Sequence, residues 1–200
     1  MCAAGAAAGL ALACNVLGGR PTPNPEDQAA LSAFEGGVGD IEEAFQALGA
    51  RLRDDPAGMR TAAVDALGSP DSAVRIASLY VLAETAAADG ALPELARRLD
   101  NDDATERLLA AAGLTLAGDR RGLPVLIAAL SDDTPMSYAE PPQAAWEYAR
   151  LLLIQYTEGD FGLLAAGNRN SAAAAQPAWQ AWWDENGGQL RWDASLERFQ

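Results

Sequence analysis

The side chains able to do chemistry in this chain are carboxylates, arginines and two cysteines. Its 200 residues include 28 Asp and Glu against 14 basic residues, and its formal net charge is −14. Every basic residue is arginine; there is no histidine and no lysine. That excludes a Ser-His-Asp triad, a Cys-His dyad and a His-ligated zinc. It also excludes a Schiff-base lysine, a pyridoxal phosphate anchor and a Walker A loop. Cys2 and Cys14, both near the start, are too few for a structural zinc site. What remains is carboxylate chemistry, either an acid pair of the glycosidase kind or an oxygen-ligated metal. The sequence offers many carboxylates and singles out no pair. Asp100-Asn101-Asp102-Asp103 begins like a calcium loop, but the sixth position lacks Gly and the twelfth lacks Glu. It reads as an inter-helix turn ending in an N-cap. No catalytic residue, metal or cofactor is expected. A chain this acidic repels phosphate backbones, so nucleic acid is not an expected partner. Nor is there a basic cluster to hold an anionic membrane surface. A protein or peptide partner is the expectation, with membrane contact only through a lipid anchor.

The N-terminal residues raise that anchor. Residues 1–13 carry no charge and are almost wholly Ala, Gly, Leu and Cys. This suits the apolar core of a secretory signal, which spans about 7–15 residues. It is too short for a bilayer, which takes about 20 apolar residues. Ala11-Leu12-Ala13 is a small-x-small cleavage site, and Cys14 follows at once. Leu10 to Cys14 resembles a bacterial lipobox, with Ala11 standing where Leu is usual. The resemblance implies lipidation of Cys14 and an exported periplasmic or cell-envelope lipoprotein. Simple cleavage, or an Ala-rich helix on a cytoplasmic protein, are the alternatives. Residues 14–24, with Gly18-Gly19, Pro21 and Pro23, read as a flexible tether.

The elements behind these residues are helices. Half the chain is hydrophobic but only 6% aromatic, and 45 alanines fill the gap; alanine is the strongest helix former. Two segments also align with each other. Asp71, Arg75, Pro93 and Leu99 recur as Asp103, Arg107, Pro124 and Leu130, at spacings of 31 or 32 residues. A weaker copy precedes them. Each unit reads as two helices. The first opens on an Asp N-cap, Asp71 or Asp103. The second opens at a Leu-Pro pair, where proline in the first turn loses no needed hydrogen bond. Leu92, Leu95, Ala96 and Leu99 form one buried stripe, and Leu123, Leu126, Ile127 and Leu130 repeat it. The first helices are apolar nearly all round and must be covered on two sides. Asp71–Arg75 and Asp103–Arg107 have the spacing of surface ion pairs, each worth about 0.2–0.5 kcal/mol. Asp40 to Glu43 is a capping box opening a helix to about Asp54, and Asp55-Pro56 opens its partner through Leu67. Pro25 to Glu35 reads as a capping helix. Residues 143–157 form another first helix, with Arg150 in the repeat-arginine place.

The Asp71, Val74, Arg75, Ala77 and Leu82 pattern resembles HEAT repeats, in particular the short bacterial type of the phycobilisome lyases. The second copy departs from it by having Glu106 for Val. The resemblance covers about residues 40–157. It implies an all-α, right-handed α-solenoid of stacked antiparallel helix pairs. The boundaries that follow are a repeat domain over 25–166 and a Trp-rich C-terminal cap over 167–200. Thr157 to Phe161 and the tryptophans after it resemble the ends of other exported HEAT-like proteins of unassigned role. The repeat register, the leader and the absence of a catalytic constellation point to a non-enzymatic interaction scaffold; analogy with the lyase members offers an accessory enzyme instead, and the C-terminal tryptophans a glycan-binding module.

Three places are candidates for binding. One is the second-helix face, whose outward slots are Glu94, Arg97 and Arg98 in one copy and Val125, Ala128 and Ala129 in the next. The apolar set must be covered, either by later residues or by a partner. Another is an insertion that lengthens the repeat by about eleven residues and includes Thr134 to Pro142, with exposed-looking Met136 and Tyr138. The last is Trp179, Trp182 and Trp183, on a short helix ended by Asn186-Gly187-Gly188. These rings form either a hydrophobic plug or an aromatic platform for a sugar or peptide. Leu190 to Trp192 reads as a short extended tail.

Overall fold

The computed structural model describes residues 22–37, 41–85, 91–136, 143–163 and 167–200. The lipobox-like segment with Cys14, and Asp40 of the capping box, lie outside these residues. The described chain is mostly helical. Prolines and capping polar residues set where its helices start. Asn24 accepts from the Glu26 amide, and helix α1 runs Pro25–Ser32. A 3-10 turn at Glu35–Gly37 follows, with Gly36 at φ 76°. Helix α2 is Ile41–Asp54. Asp55 alone separates it from α3, Pro56–Ala66; its carboxylate caps Gly58 at 2.8 Å and Pro56 takes the first helical position.

Asp71 caps α4, Ser72–Glu84, by accepting from the Ala73 and Val74 amides. Its second oxygen accepts from Gly36 at 2.8 Å, which ties the early 3-10 turn to α4. Helix α5 is only Leu92–Arg97. Asp103 caps α6, Ala104–Leu116. A 3-10 turn at Arg120–Gly122 leads directly into α7, Leu123–Ala129. Strand β1, Pro135–Met136, pairs antiparallel with β2, Gln143–Ala144, and α8 follows as Ala145–Tyr156. The tryptophan helix is not short: α9 spans 18 residues, Arg169–Asn186. The expected tail is half of a hairpin, with β3, Trp192–Asp193, antiparallel to β4, Arg198–Phe199.

Helix α6 organises the packing. It lies against α4 on one side and α8 on the other, with α5 and α7 beside it. From Thr105 to Thr115 it is buried at every residue except Arg107. Leu109, Ala110 and Leu114 enter an N-terminal core with Leu79, Leu82 and Leu95. Leu108, Ala111 and Ala112 enter a C-terminal core with Leu126, Ile127, Leu153 and Trp179. Each buried leucine contributes about 1.5–3 kcal/mol by removal from water. Small residues allow the approach. A Cβ on Gly113 would sit 2.9 Å from the Ala83 Cα, and one on Gly122 would sit 2.2 Å from the Ala111 carbonyl oxygen. Helix α9 closes the C-terminal end by packing on α7 and α8.

The arginines of the two aligned copies do not form the expected ion pairs with Asp71 and Asp103. Those carboxylates serve as caps. Arg75 instead donates to the Ser69 and Pro70 carbonyls, and Arg107 to those of Asn101 and Asp102. Each arginine therefore fastens the turn before its own helix, five and six residues back. Arg150 does otherwise: its Nε donates forward, to Leu163 at 2.7 Å.

Candidate functional site

The outward slots of the second helices separate into three environments. Arg97 is exposed and paired with Glu94 on its own helix. Arg98 turns inward, so its assignment to an outward slot is corrected. Its Nη1 meets Glu106 at 2.9 Å and its Nη2 donates to the Leu67 carbonyl at 2.6 Å. Glu106 is fully buried and also receives Arg75 at 2.8 Å and Asn101 at 3.2 Å. A carboxylate with three donors satisfies its acceptors, which is the condition for keeping a charge in a core. Glu106 therefore joins the turn before α6 to α4 and to the end of α5. Its signal in the sequence was a carboxylate, next to Arg107, where the previous copy has Val74. The second buried carboxylate, Asp27, takes Arg51 through Nε at 3.0 Å and Nη2 at 2.6 Å, linking α1 to α2.

In the later copy, Val125 is half-buried, Ala128 is exposed and Ala129 is buried at 7% exposure. Part of this face is covered from within: the Gln176 amide on α9 donates to the Ile127 and Ala128 carbonyls, both at 3.1 Å. What stays open is a groove of roughly 270 Å³ between the start of α6 and α7. Leu108, Val125, Ala128 and Ala129 form its apolar side, with Arg107 and Asp132 at its rim. Arg107 holds only backbone carbonyls through Nη1.

The insertion starts at the Asp132 rim. Met136 is not exposed. Its side chain is 1% accessible and belongs to the C-terminal core, because pairing of β1 with β2 turns it inward. Tyr138 lies outside the described residues. Trp179 is fully buried and stacks edge-on with Phe161 at 5.0 Å and Trp182 at 5.4 Å. It offers no face to a sugar. Trp182 and Trp183 are half-buried against the same core. Asp100 to Asp103 is an inter-helix turn, in which Asn101 accepts from the Asp103 amide. Among the described residues no group of three or more acids or cysteines is placed to hold a metal.

A second cleft, of roughly 350 Å³, opens at the other end of α6. Leu92, Ala117, Gly118, Arg120, Arg191 and Trp192 are among its lining residues. Asp119 also lines it and is gripped by Arg121 through both oxygens. Burial pushes the Asp119 carboxyl up, but the Arg121 side chain and amide outweigh that and hold it below the usual carboxylate range. Sequence inspection missed this cleft because its two halves lie about seventy residues apart. Comparison of the chain with protein-family models, with curated proteins and with solved structures finds no match.

Proposed function

We propose that this protein is a non-enzymatic interaction scaffold, a HEAT-like solenoid of antiparallel helix pairs that binds a protein or peptide on its second-helix face. The α6–α7 groove carries the proposal. Val125, Ala128 and Ala129 line it, and its apolar side is only partly covered by α9. An apolar trough with one arginine and one aspartate at its rim suits a short apolar segment of a partner. The HEAT reading rests on the aligned Asp and Arg positions and on the order of packing, in which α4, α6 and α8 are neighbours in sequence of units. The non-enzymatic reading rests on the absence of His and Lys from the sequence and on the commitment of the buried Glu106 carboxylate to Arg75, Arg98 and Asn101. The lipobox-like segment of the sequence supports a lipid anchor on Cys14 and a place at the cell envelope for this activity. Among the described residues no helix is long and apolar enough to cross a membrane.

The test is site-specific photo-crosslinking from Ala128 in the native host, with membrane and soluble fractions kept apart. The expected result is one near-stoichiometric protein in the membrane fraction, lost in Val125→Arg and moved to the soluble fraction in Cys14→Ala. No crosslinked protein, or one indifferent to Val125→Arg, would overturn the scaffold proposal.

A further inference from the structure

We infer that the cleft between the corner after α6 and the C-terminal hairpin is a separate recognition site, for an acidic peptide segment bearing an apolar side chain beside its carboxylates. The apolar wall is Trp192, and it is firmly set. Gly118, at φ 74°, lies so close that a Cβ there would be 2.4 Å from the Trp192 ring. Tyr156 and the buried Phe199 hold the ring from other sides, at 6.1 Å and 5.1 Å. Leu92 and Ala117 complete the apolar lining.

The charge is contributed by Arg120 and Arg191. This chain has twice as many carboxylates as arginines, and seven of its described arginines sit in ion pairs with acids. Yet among the described residues both bond only to backbone carbonyls. Arg120 Nη1 reaches Gly188 at 2.8 Å and Leu190 at 3.2 Å; Arg191 Nη1 reaches Gln189 at 3.0 Å and Leu190 at 2.9 Å. A guanidinium has five N–H donors in a fork suited to a carboxylate, so most of each fork is free for one. Asp119, the acid in the lining, is hydrogen-bonded by Arg121 and feels Arg120 only through space. The cleft is thus locally cationic within an acidic molecule. A helix C-terminus attracts cations, which would account for Arg120 and Arg121 without a ligand. It does not account for Arg191, which comes from the hairpin. Glu84 and Glu197 act on Tyr156, behind the Trp192 ring, but their repulsion is screened over about 8 Å at physiological salt, whereas Arg120 and Arg191 line the cleft itself. A nucleic acid offers anions too, but presents a dense phosphate array that a net charge of −14 repels. The volume of roughly 350 Å³ suits one apolar side chain with flanking carboxylates.

This site and the α6–α7 groove lie at opposite ends of a helix about 20 Å long, so either can fail without the other. The experiment is fluorescence polarisation of the whole chain with a labelled peptide of two glutamates flanking a phenylalanine, and with its glutamine counterpart. The glutamate peptide is expected to bind, and the glutamine peptide to bind about tenfold more weakly. Arg191→Glu should weaken the glutamate peptide by about tenfold or more, with Arg191→Gln between it and the parent. Arg53→Glu, at an exposed arginine on α2, should stay within about twofold. Circular dichroism and the thermal midpoint of Arg191→Glu should match the parent. Failure of the glutamate peptide to bind at about 1 mM would overturn the proposal. So would equal binding of the two peptides, or an unchanged affinity in a folded Arg191→Glu.

Discussion

Removing the Glu106 carboxylate should weaken the fold more than any single surface change. Glu106 is fully buried and receives Arg75, Arg98 and Asn101. Charge-assisted hydrogen bonds are worth about 1.5–3 kcal/mol each, and breaking a buried pair costs about 3–5 kcal/mol. Here the orphaned partners are not sealed. Arg75 and Arg98 side chains keep 22% and 23% exposure, and both retain backbone carbonyl partners. The lower end applies, and Glu106→Ala is expected to cost about 3 kcal/mol. With a urea slope near 2 kcal/mol per molar, the unfolding midpoint should fall by about 1.5 M. Glu106→Gln keeps shape and one acceptor and should cost roughly half as much. Glu106→Val installs the residue that Val74 supplies one copy earlier. If the ion pairs matter as argued, it should cost nearly as much as Glu106→Ala. The assay is urea unfolding followed by far-ultraviolet circular dichroism and tryptophan emission together. A Glu106→Val midpoint within about 0.25 M of the parent, the range of ordinary surface substitutions, would refute the reasoning.

Other outcomes follow from the same geometry. Gly122→Ala drives a Cβ to 2.2 Å from the Ala111 oxygen and should destabilise by about 1–3 kcal/mol, read as a lower thermal midpoint. Met136→Ala should cost about 2–5 kcal/mol if the side chain is in the core, against about 0.5 for a loop surface, a difference that urea unfolding resolves. Asp71 is held below the usual carboxylate range, first by the Gly36 amide and then by the amides of Val74 and Ala73. A depressed carboxylate contributes stability that is fully present above its unfolded value near 3.9 and is lost as pH falls through its folded value. Stability should therefore decline below pH about 4, and Asp71→Asn, which still caps a helix, should make that decline shallower. An equally steep decline in the variant would count against the Gly36 tie.

The helix starts were legible because they depend on neighbours. Asn24-Pro25, Asp55-Pro56, Asp71 and Asp103 all act where short-range capping rules put them. The arginine partners were not legible. Position alone allows Asp71 to pair with Arg75, but a cap already uses Asp71, and the loop carbonyls behind Arg75 compete for its fork. Glu106 meets Arg75 across 31 residues, a distance no local rule reaches. Met136 was misplaced because a proline-rich polar stretch has the composition of a loop. Two residues of strand pairing suffice to turn its side chain into the core. Trp179 had the spacing of a platform, and spacing cannot say which side of α9 faces Leu126 and Leu153. The core settles that by burying it.

The departures from the repeat are the more informative positions. A regular copy needs a cap, an arginine fastening the turn and an apolar stripe, and Asp71, Arg75 and Leu79 supply these as Asp103, Arg107 and Ala111 do. Such positions build helix pairs but do not fix one pair on the next, because apolar contact is non-directional. Glu106 adds direction: it accepts from α4 and from the end of α5 at once, so the start of α6 has one position in which both bonds form. Gly118 and Trp192 do the same at the other end of α6, where a side chain on the glycine would displace the ring and, with it, the hairpin. Both exceptions lie beside the open clefts, since Arg107 follows Glu106 and Arg120 follows Gly118 closely. The two ends of α6 are therefore where the neighbouring elements are most precisely positioned, and beside them Arg107 and Arg120 hydrogen-bond only to backbone carbonyls.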